Sequence, residues 1–202
     1  MNEGVIRRFV WMAGVGLILA AVGAFVLGDY MTTAPGDYYV RKGDQRLSEG
    51  LYAEAIKNFN LALEEAPNHR GALMGRALVY IQREQYDTAE EELTELIRFQ
   101  ERNLSEEDPT GRGVLAAAYA NRGIIKDRQG RYRAALDDYI EALRVDEGAI
   151  DGPYLFDEIL YGYRASTVRK RAEYLATELE KPEDERLLRL PEKDARQRMY
   201  KP

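Results

Sequence analysis

Cysteine is absent from this chain of 202 residues, which excludes disulfides, thiolate catalysis and cysteine-ligated metals together. Histidine occurs once, as His69 beside Asn68, where it reads as a structural turn residue and not as a base or ligand. Positive charge is scarce: 29 Lys and Arg face 35 Asp and Glu, for a net charge of −6. Residues 1–28 contribute +1 through Arg7, Arg8 and Glu3, so the remainder carries −7. A surface that acidic lacks the basic footprint that nucleic acid requires. No HExxH, GxSxG, Walker loop or Gly-rich dinucleotide turn is present, and acidic runs such as Glu90-Glu91-Glu92 fit the exposed faces of helices. The expectation is a chain with no catalytic residues, no cofactor, no metal and no small-molecule substrate.

Long hydrophobic runs are also missing, with one exception. Residues 9–28 carry no charge and no strongly polar group, and twenty residues suit a helix that crosses a bilayer. Arg7 and Arg8 precede the run, Trp11 stands near its start and Asp29-Tyr30 follow it, which favours a cytoplasmic N-terminus. A cleaved leader fits less well, because the small-residue tract Val22-Gly23-Ala24 falls inside the apolar run. Gly16, Ala20, Ala24 and Gly28 stand four apart, a smooth stripe on which a partner's helix or a second copy could pack.

After residue 35 a 34-residue period begins, in segments 36–69, 70–103 and 116–149. Each places a small residue (Gly43, Ala77, Gly123), an aromatic (Tyr52, Tyr86, Tyr132) and an alanine (Ala55, Ala89, Ala135) at equivalent sites. A large apolar residue follows (Phe59, Leu93, Tyr139), then an aliphatic one (Leu63, Ile97, Leu143). The small residues let two antiparallel helices approach, and the large ones fill the space between hairpins. Gly50 and Gly130 fall at the turn within a hairpin, where Glu84 stands in the second repeat. Pro67 stops the first repeat. Lys42, Arg76 and Arg122 each precede a polar residue by sixteen places, predicting contacts Lys42–Asn58, Arg76–Glu92 and Arg122–Asp138 across each hairpin.

These repeats, with the tracts Asn121-Arg122-Gly123 and Asp137-Asp138-Tyr139, resemble the tetratricopeptide (TPR) family. The resemblance implies an all-α helical-hairpin solenoid that binds other proteins. Three repeats in 36–149, one N-terminal transmembrane helix (9–28) after a cytoplasmic segment (1–8), and a linker (29–35) make up most of the chain. The linker reaches at most about 25 Å, which keeps the repeats near the membrane. An insertion at 104–115, with Pro109, Gly111 and Gly113, reads as a solvated loop. Residues 150–180 read as a capping helix or hairpin, starting near Gly152-Pro153 and bending near Gly162, with Arg164, Arg169, Lys170 and Arg171 on its outer face. The tail 181–202 carries apolar knots at Leu187, Leu188 and Leu190 and at Met199-Tyr200, and is expected to dock on the solenoid or a partner.

In TPR folds the first helix of each hairpin lines the concave side. That implies a protein-binding groove of Val40, Asp44, Leu47, Met74, Leu78, Ile81, Ala120, Ile124 and Asp127. TPR domains that hold chaperone C-termini use lysine and asparagine on a carboxylate; Val40, Asp44, Met74 and Leu78 occupy the matching sites here, so that activity does not carry over. The groove's aliphatic character suits an amphipathic helix or an apolar extended peptide. The function expected is non-catalytic: a membrane-anchored module that scaffolds, assembles or stabilises a membrane complex on the periplasmic, extracytoplasmic face of the inner membrane. The alternatives are a cytosol-facing anchored receptor or adaptor, or a permanent accessory subunit of a membrane enzyme complex.

Overall fold

The computed structural model describes residues 3–32, 34–105, 107–150 and 168–190. Among them are eight α-helices and no strand: α1 (Glu3–Thr32), α2 (Asp37–Ser48), α3 (Tyr52–Glu65), α4 (Arg70–Gln82), α5 (Tyr86–Asn103), α6 (Pro109–Arg128), α7 (Tyr132–Ile150) and α8 (Val168–Glu180). Helices α2–α3, α4–α5 and α6–α7 pair as hairpins, and α3 packs on α4, α5 on α6 and α7 on α8. Short contacts of α2 with α4 and of α4 with α6 join the first helices of successive hairpins. This is the expected three-hairpin stack, closed by a helix.

The small residues are required by the packing. A Cβ added at Gly43 would sit 2.5 Å from the Phe59 ring, and one at Gly123 would sit 2.6 Å from the Tyr139 ring. Phe59, Leu93 and Tyr139 are fully buried, each worth about 1.5–3 kcal/mol of apolar burial. Gly75 proves equally constrained, since a Cβ there would strike the same Phe59 ring. The hairpin turns take the left-handed conformation at Gly50 (φ 74°), Glu84 (φ 57°) and Gly130 (φ 77°). Glu84 therefore holds a backbone state that glycine adopts without strain. Helix α3 ends at Glu65, with Ala66 extended before Pro67.

Two of the three polar contacts form as the spacing predicts. Arg76 meets Glu92 at 2.6 Å and Arg122 meets Asp138 at 2.7 Å. Each arginine also reaches back one repeat: Arg76 Nη1 donates to Asn60 Oδ1 at 2.9 Å, and Arg122 Nη1 to Thr94 Oγ1 at 3.1 Å. Asn60 and Thr94 are equivalent residues, so the arginines form a ladder that ties each hairpin to its predecessor. The third contact, Lys42–Asn58, does not form. Asn58 donates instead to the Glu54 carbonyl, and Lys42 is exposed. A neutral amide gives Lys42 little reason to leave water, and no hairpin precedes it to supply a second acceptor.

The insertion departs from expectation. Helix α5 runs to Asn103 and Pro109 already opens α6, a helix of 20 residues. Proline at the first helical position lacks only an N–H that has no partner there, so it starts the helix instead of breaking it. Asp108 caps it, accepting from the Gly111 N–H at 2.7 Å and from Arg70 Nη1 at 2.6 Å. The Arg70 bond first, then the Gly111 amide, holds the Asp108 carboxyl below the usual range. Gly111 fits because a Cβ would fall 2.5 Å from Asp108 Oδ2, and its carbonyl accepts from buried Gln100 at 3.2 Å.

Among the described residues helix α1 makes no extensive contact with another helix. Its side chains are described at 4, 7 and 11–23, and among these Trp11 is 74% exposed and Leu17 72%. Among the described residues no helix is long and apolar enough to cross a membrane. The uncharged run 9–28 extends beyond 11–23 at both ends. Gly16 and Ala20 are exposed, and nothing approaches the Cβ position of Gly16. The side chains of Ala24 and Gly28 lie outside the described residues.

Candidate protein-binding surface

Helices α2, α4 and α6 form the row that the resemblance assigns to the concave side. On α2, Val40, Asp44 and Leu47 are half-buried and retain access to solvent. The other six expected groove residues do not. Met74, Leu78, Ile81, Ala120, Ile124 and Asp127 are all buried, none more than 5% exposed. The five apolar ones join a single cluster that spans α4 and α6, where Asn121 Nδ2 reaches Met74 Sδ at 3.5 Å. Helix α4 is the centre of the stack and touches α2, α3, α5 and α6. Its sequence is apolar or small except at Arg70, Arg76, Tyr80 and Gln82, and most of its surface is interior. Burial withdraws these six from the accessible row: the apolar ones pack among neighbouring helices, and Asp127 pairs within the chain.

Asp127 has a specific role that the sequence conceals. Arg171 of α8 donates to both its carboxylate oxygens at 2.7 Å, with the two side chains 4% and 5% exposed. The Tyr139 hydroxyl donates to Asp127 Oδ2 at 3.1 Å. The cap therefore keys into the last hairpin through one buried bidentate pair. Arg171 thus points inward, contrary to its expected place on the outer face. Its helix turns the other way: Val168, Ala172 and Leu175 bury against the stack, carrying Arg171 with them. Arg169 pairs with Glu147 at the surface, whereas Lys170 is exposed. Gly152-Pro153, Gly162 and Arg164 lie outside the described residues.

The tail to residue 190 docks on its own chain. Leu188 packs against the core, its carbonyl accepts from Arg171 Nη2 at 3.0 Å, and Arg189 Nη2 reaches the Arg128 carbonyl at 3.3 Å. Glu178 accepts from the Leu187 amide at 2.9 Å and from Lys181 at 2.6 Å. The Lys181 bond, then the Leu187 amide, lowers the Glu178 pKa. Met199 and Tyr200 fall outside the described residues.

Helix α5 carries an acidic patch. Asp87, Glu90, Glu91, Thr94, Glu95 and Arg98 line a shallow depression of about 450 Å³ on α5. Two of its carboxylates are engaged by the next hairpin, Glu90 with Arg131 and Asp87 with Gln129. Among the described residues no group of three or more His, Asp or Glu is placed to hold a metal ion. His69 serves structure: it precedes α4, and its Nε2 faces Asp37 Oδ1 at 2.9 Å.

Comparison with known proteins agrees with the architecture. Tetratricopeptide repeat profiles match residues 46–106 and 116–148. The first TPR of Spaghetti (RPAP3), solved with an HSP90 peptide, aligns with a TM-score of 0.51 at 16% identity, over 73% of this chain and 94% of that one. The Sgt2 TPR domain from Aspergillus fumigatus aligns at 0.49 and 20% identity, over 76% and 89% of the two chains. At 16% identity the first of these alignments shows the fold alone. Among curated proteins none matches significantly. With the close-approach glycines, the arginine ladder and the hairpin stack in place, residues 46–106 and 116–148 are tetratricopeptide repeats in an all-α solenoid.

Proposed function

We propose that this chain is a membrane-anchored TPR module that holds other proteins beside a bilayer and carries out no chemistry itself. The carrying observation is a well-packed hairpin stack joined, four residues after α1 ends, to a 30-residue helix containing a 20-residue uncharged run. Twenty helical residues span about 30 Å, the hydrocarbon thickness. Exposed Trp11, Leu17, Ile18 and Leu19 on one unpacked helix also favour a lipid environment, since apolar surface of that extent is costly in water. Arg7 and Arg8 favour a cytoplasmic N-terminus, which places the stack on the extracytoplasmic side.

The partner is a protein or a membrane complex. The half-buried residues Val40, Asp44 and Leu47 of α2 remain the accessible part of the row expected to contact it, while the buried residues set its shape. Two measurements test this. Alkaline carbonate is expected to leave the full chain in the membrane fraction, and protease added outside spheroplasts is expected to digest the stack. Affinity recovery from mild detergent is expected to bring down a protein partner that the Val40→Glu, Asp44→Lys double variant loses at unchanged helicity. Carbonate release would overturn the anchor, and undiminished partner recovery would overturn the binding row.

A further inference from the structure

Helix α2 presents one solvent face that the stack does not use. Tyr38, Arg41, Lys42 and Gln45, at i, i+3, i+4 and i+7, are all exposed, Tyr38 by 57%. Arg41 and Lys42 make no ion pair among the described residues. The carboxylates nearby are engaged otherwise. Asp37 turns to His69, Asp44 is half-buried, Glu49 accepts from Arg46 at 2.7 Å and from Gln45 at 2.9 Å, and Glu54 lies 3.2 Å from Arg46. A face with an aromatic and two open cations thus sits on a chain whose residues after 28 carry −7.

Its position is constrained. Residues 29–32 continue α1 for about 6 Å past the apolar run. Residues 33–36 then span at most about 14 Å. The first turn of α2 therefore lies within about 20 Å of the hydrocarbon edge, close to a headgroup layer roughly 5–8 Å deep. Nor can that turn swing freely: the Gly36 N–H donates to Glu65 at 2.8 Å, and Asp37 is held by His69. These two contacts fasten the incoming chain to the end of the first hairpin. The whole stack must follow wherever α2 rests.

We propose that the Tyr38–Arg41–Lys42–Gln45 face of α2 is a bilayer-contact surface that takes anionic lipid headgroups and so sets the orientation of the stack. The inference rests on the reading of residues 9–28 as an anchor. An acidic body is repelled by an anionic leaflet, so this cationic face near the tether is the face that turns down. Tyr38 adds an amphipathic ring of the kind that settles at the headgroup level.

The absence of cysteine allows a clean test. Full chains carrying a single fluorophore at Gln45→Cys or, as control, at Glu91→Cys are reconstituted into vesicles containing a trace of headgroup-nitroxide lipid. The vesicles are phosphatidylcholine alone, or phosphatidylcholine with phosphatidylglycerol. Quenching at position 45 is expected to exceed that at 91 on the anionic vesicles and to fall at high salt. Arg41→Glu with Lys42→Glu should lower the docked-to-undocked ratio by at least about thirty-fold, from roughly 1 kcal/mol per surface cation. Both cations are exposed, so an unchanged melting temperature is the folding control. Equal quenching on neutral and anionic vesicles, equal quenching at the two positions, or indifference to the charge reversal overturns the proposal. Release of the unlabelled chain by carbonate would instead overturn the anchor on which it rests.

Discussion

At the C-terminal end of the stack Arg171 and Asp127 meet in the interior, each about 95% removed from water, while at the N-terminal end Lys42 stands exposed with no carboxylate across the hairpin. One end is sealed by a cap that brings its own counter-charge; the other is left open with spare cations. Between them the ladder residues Arg76 and Arg122 each touch their own hairpin and the one before. A repeat's polar contacts therefore depend on its neighbours as much as on its own sequence. The terminal copies of one pattern become different surfaces, one interior and one free.

Breaking the sealed end should have the largest effect. Arg171→Met leaves Asp127 buried without its partner, and removal of one member of a buried pair typically costs about 3–5 kcal/mol. Lys42→Met at the open end should change stability by less than about 0.5 kcal/mol. Chemical denaturation of the two variants side by side gives the contrast directly. Asp127→Leu combined with Arg171→Met removes both charges and should be less damaging than Arg171→Met alone. If the single variant were as mild as Lys42→Met, the pair would not be what holds the cap.

Within the hairpins the two ends should behave alike. Gly43→Val and Gly123→Val each drive a side chain into a fully buried ring, Phe59 or Tyr139. Overpacking of that kind costs about 1–3 kcal/mol, and similar losses are expected at both positions. A large difference in their denaturation midpoints would mean that one ring can move aside. The turns offer a smaller, opposite effect. Glu84 sits at φ 57° where the flanking repeats use glycine, so Glu84→Gly should stabilise by about 0.5–1 kcal/mol. A lowered melting temperature would contradict that.

How much of this was legible depended on whether a residue's partner lies at a fixed offset. Arg76–Glu92 and Arg122–Asp138 recur sixteen residues apart, so periodicity exposed both, along with the turn at Glu84. Asp127 lies in the third repeat but Arg171, 44 residues on, lies beyond the last one, so no spacing rule connects them. A polar residue on a helix gives no sign of whether a later segment will cover it. The burial of Met74, Leu78 and Ile81 was hidden for a related reason. An aliphatic side chain fits a partner's pocket and a neighbouring helix equally, and only the position of α4 in mid-stack decides between them. Pro109 is ambiguous in sequence because proline both ends and begins helices, and the deciding feature is Asp108, whose carboxylate caps the helix that Pro109 opens.

The smallest expected effect concerns how the sealed end is fastened by its tail. Glu178 accepts from Lys181 and from the Leu187 amide, and these bonds lower its pKa below the ordinary 4.5. A carboxyl whose pKa falls on folding stabilises docking above its unfolded value, and that contribution fades as pH drops through the lower folded value. Lys181 shifts the opposite way, upward from 10.5 through the same bond, so its share is complete below that value and fades as pH rises through the higher folded one. The tail should therefore stay seated across neutral pH and loosen only below 4.5 or in strong alkali. The Leu187 amide resonance should report the acid side, with an inflection below 4.5 that disappears in Glu178→Gln. An inflection at or above 4.5 would mean that the carboxylate does not hold the tail, leaving Leu188 packing and the Arg189 contact to Arg128 to keep it in place.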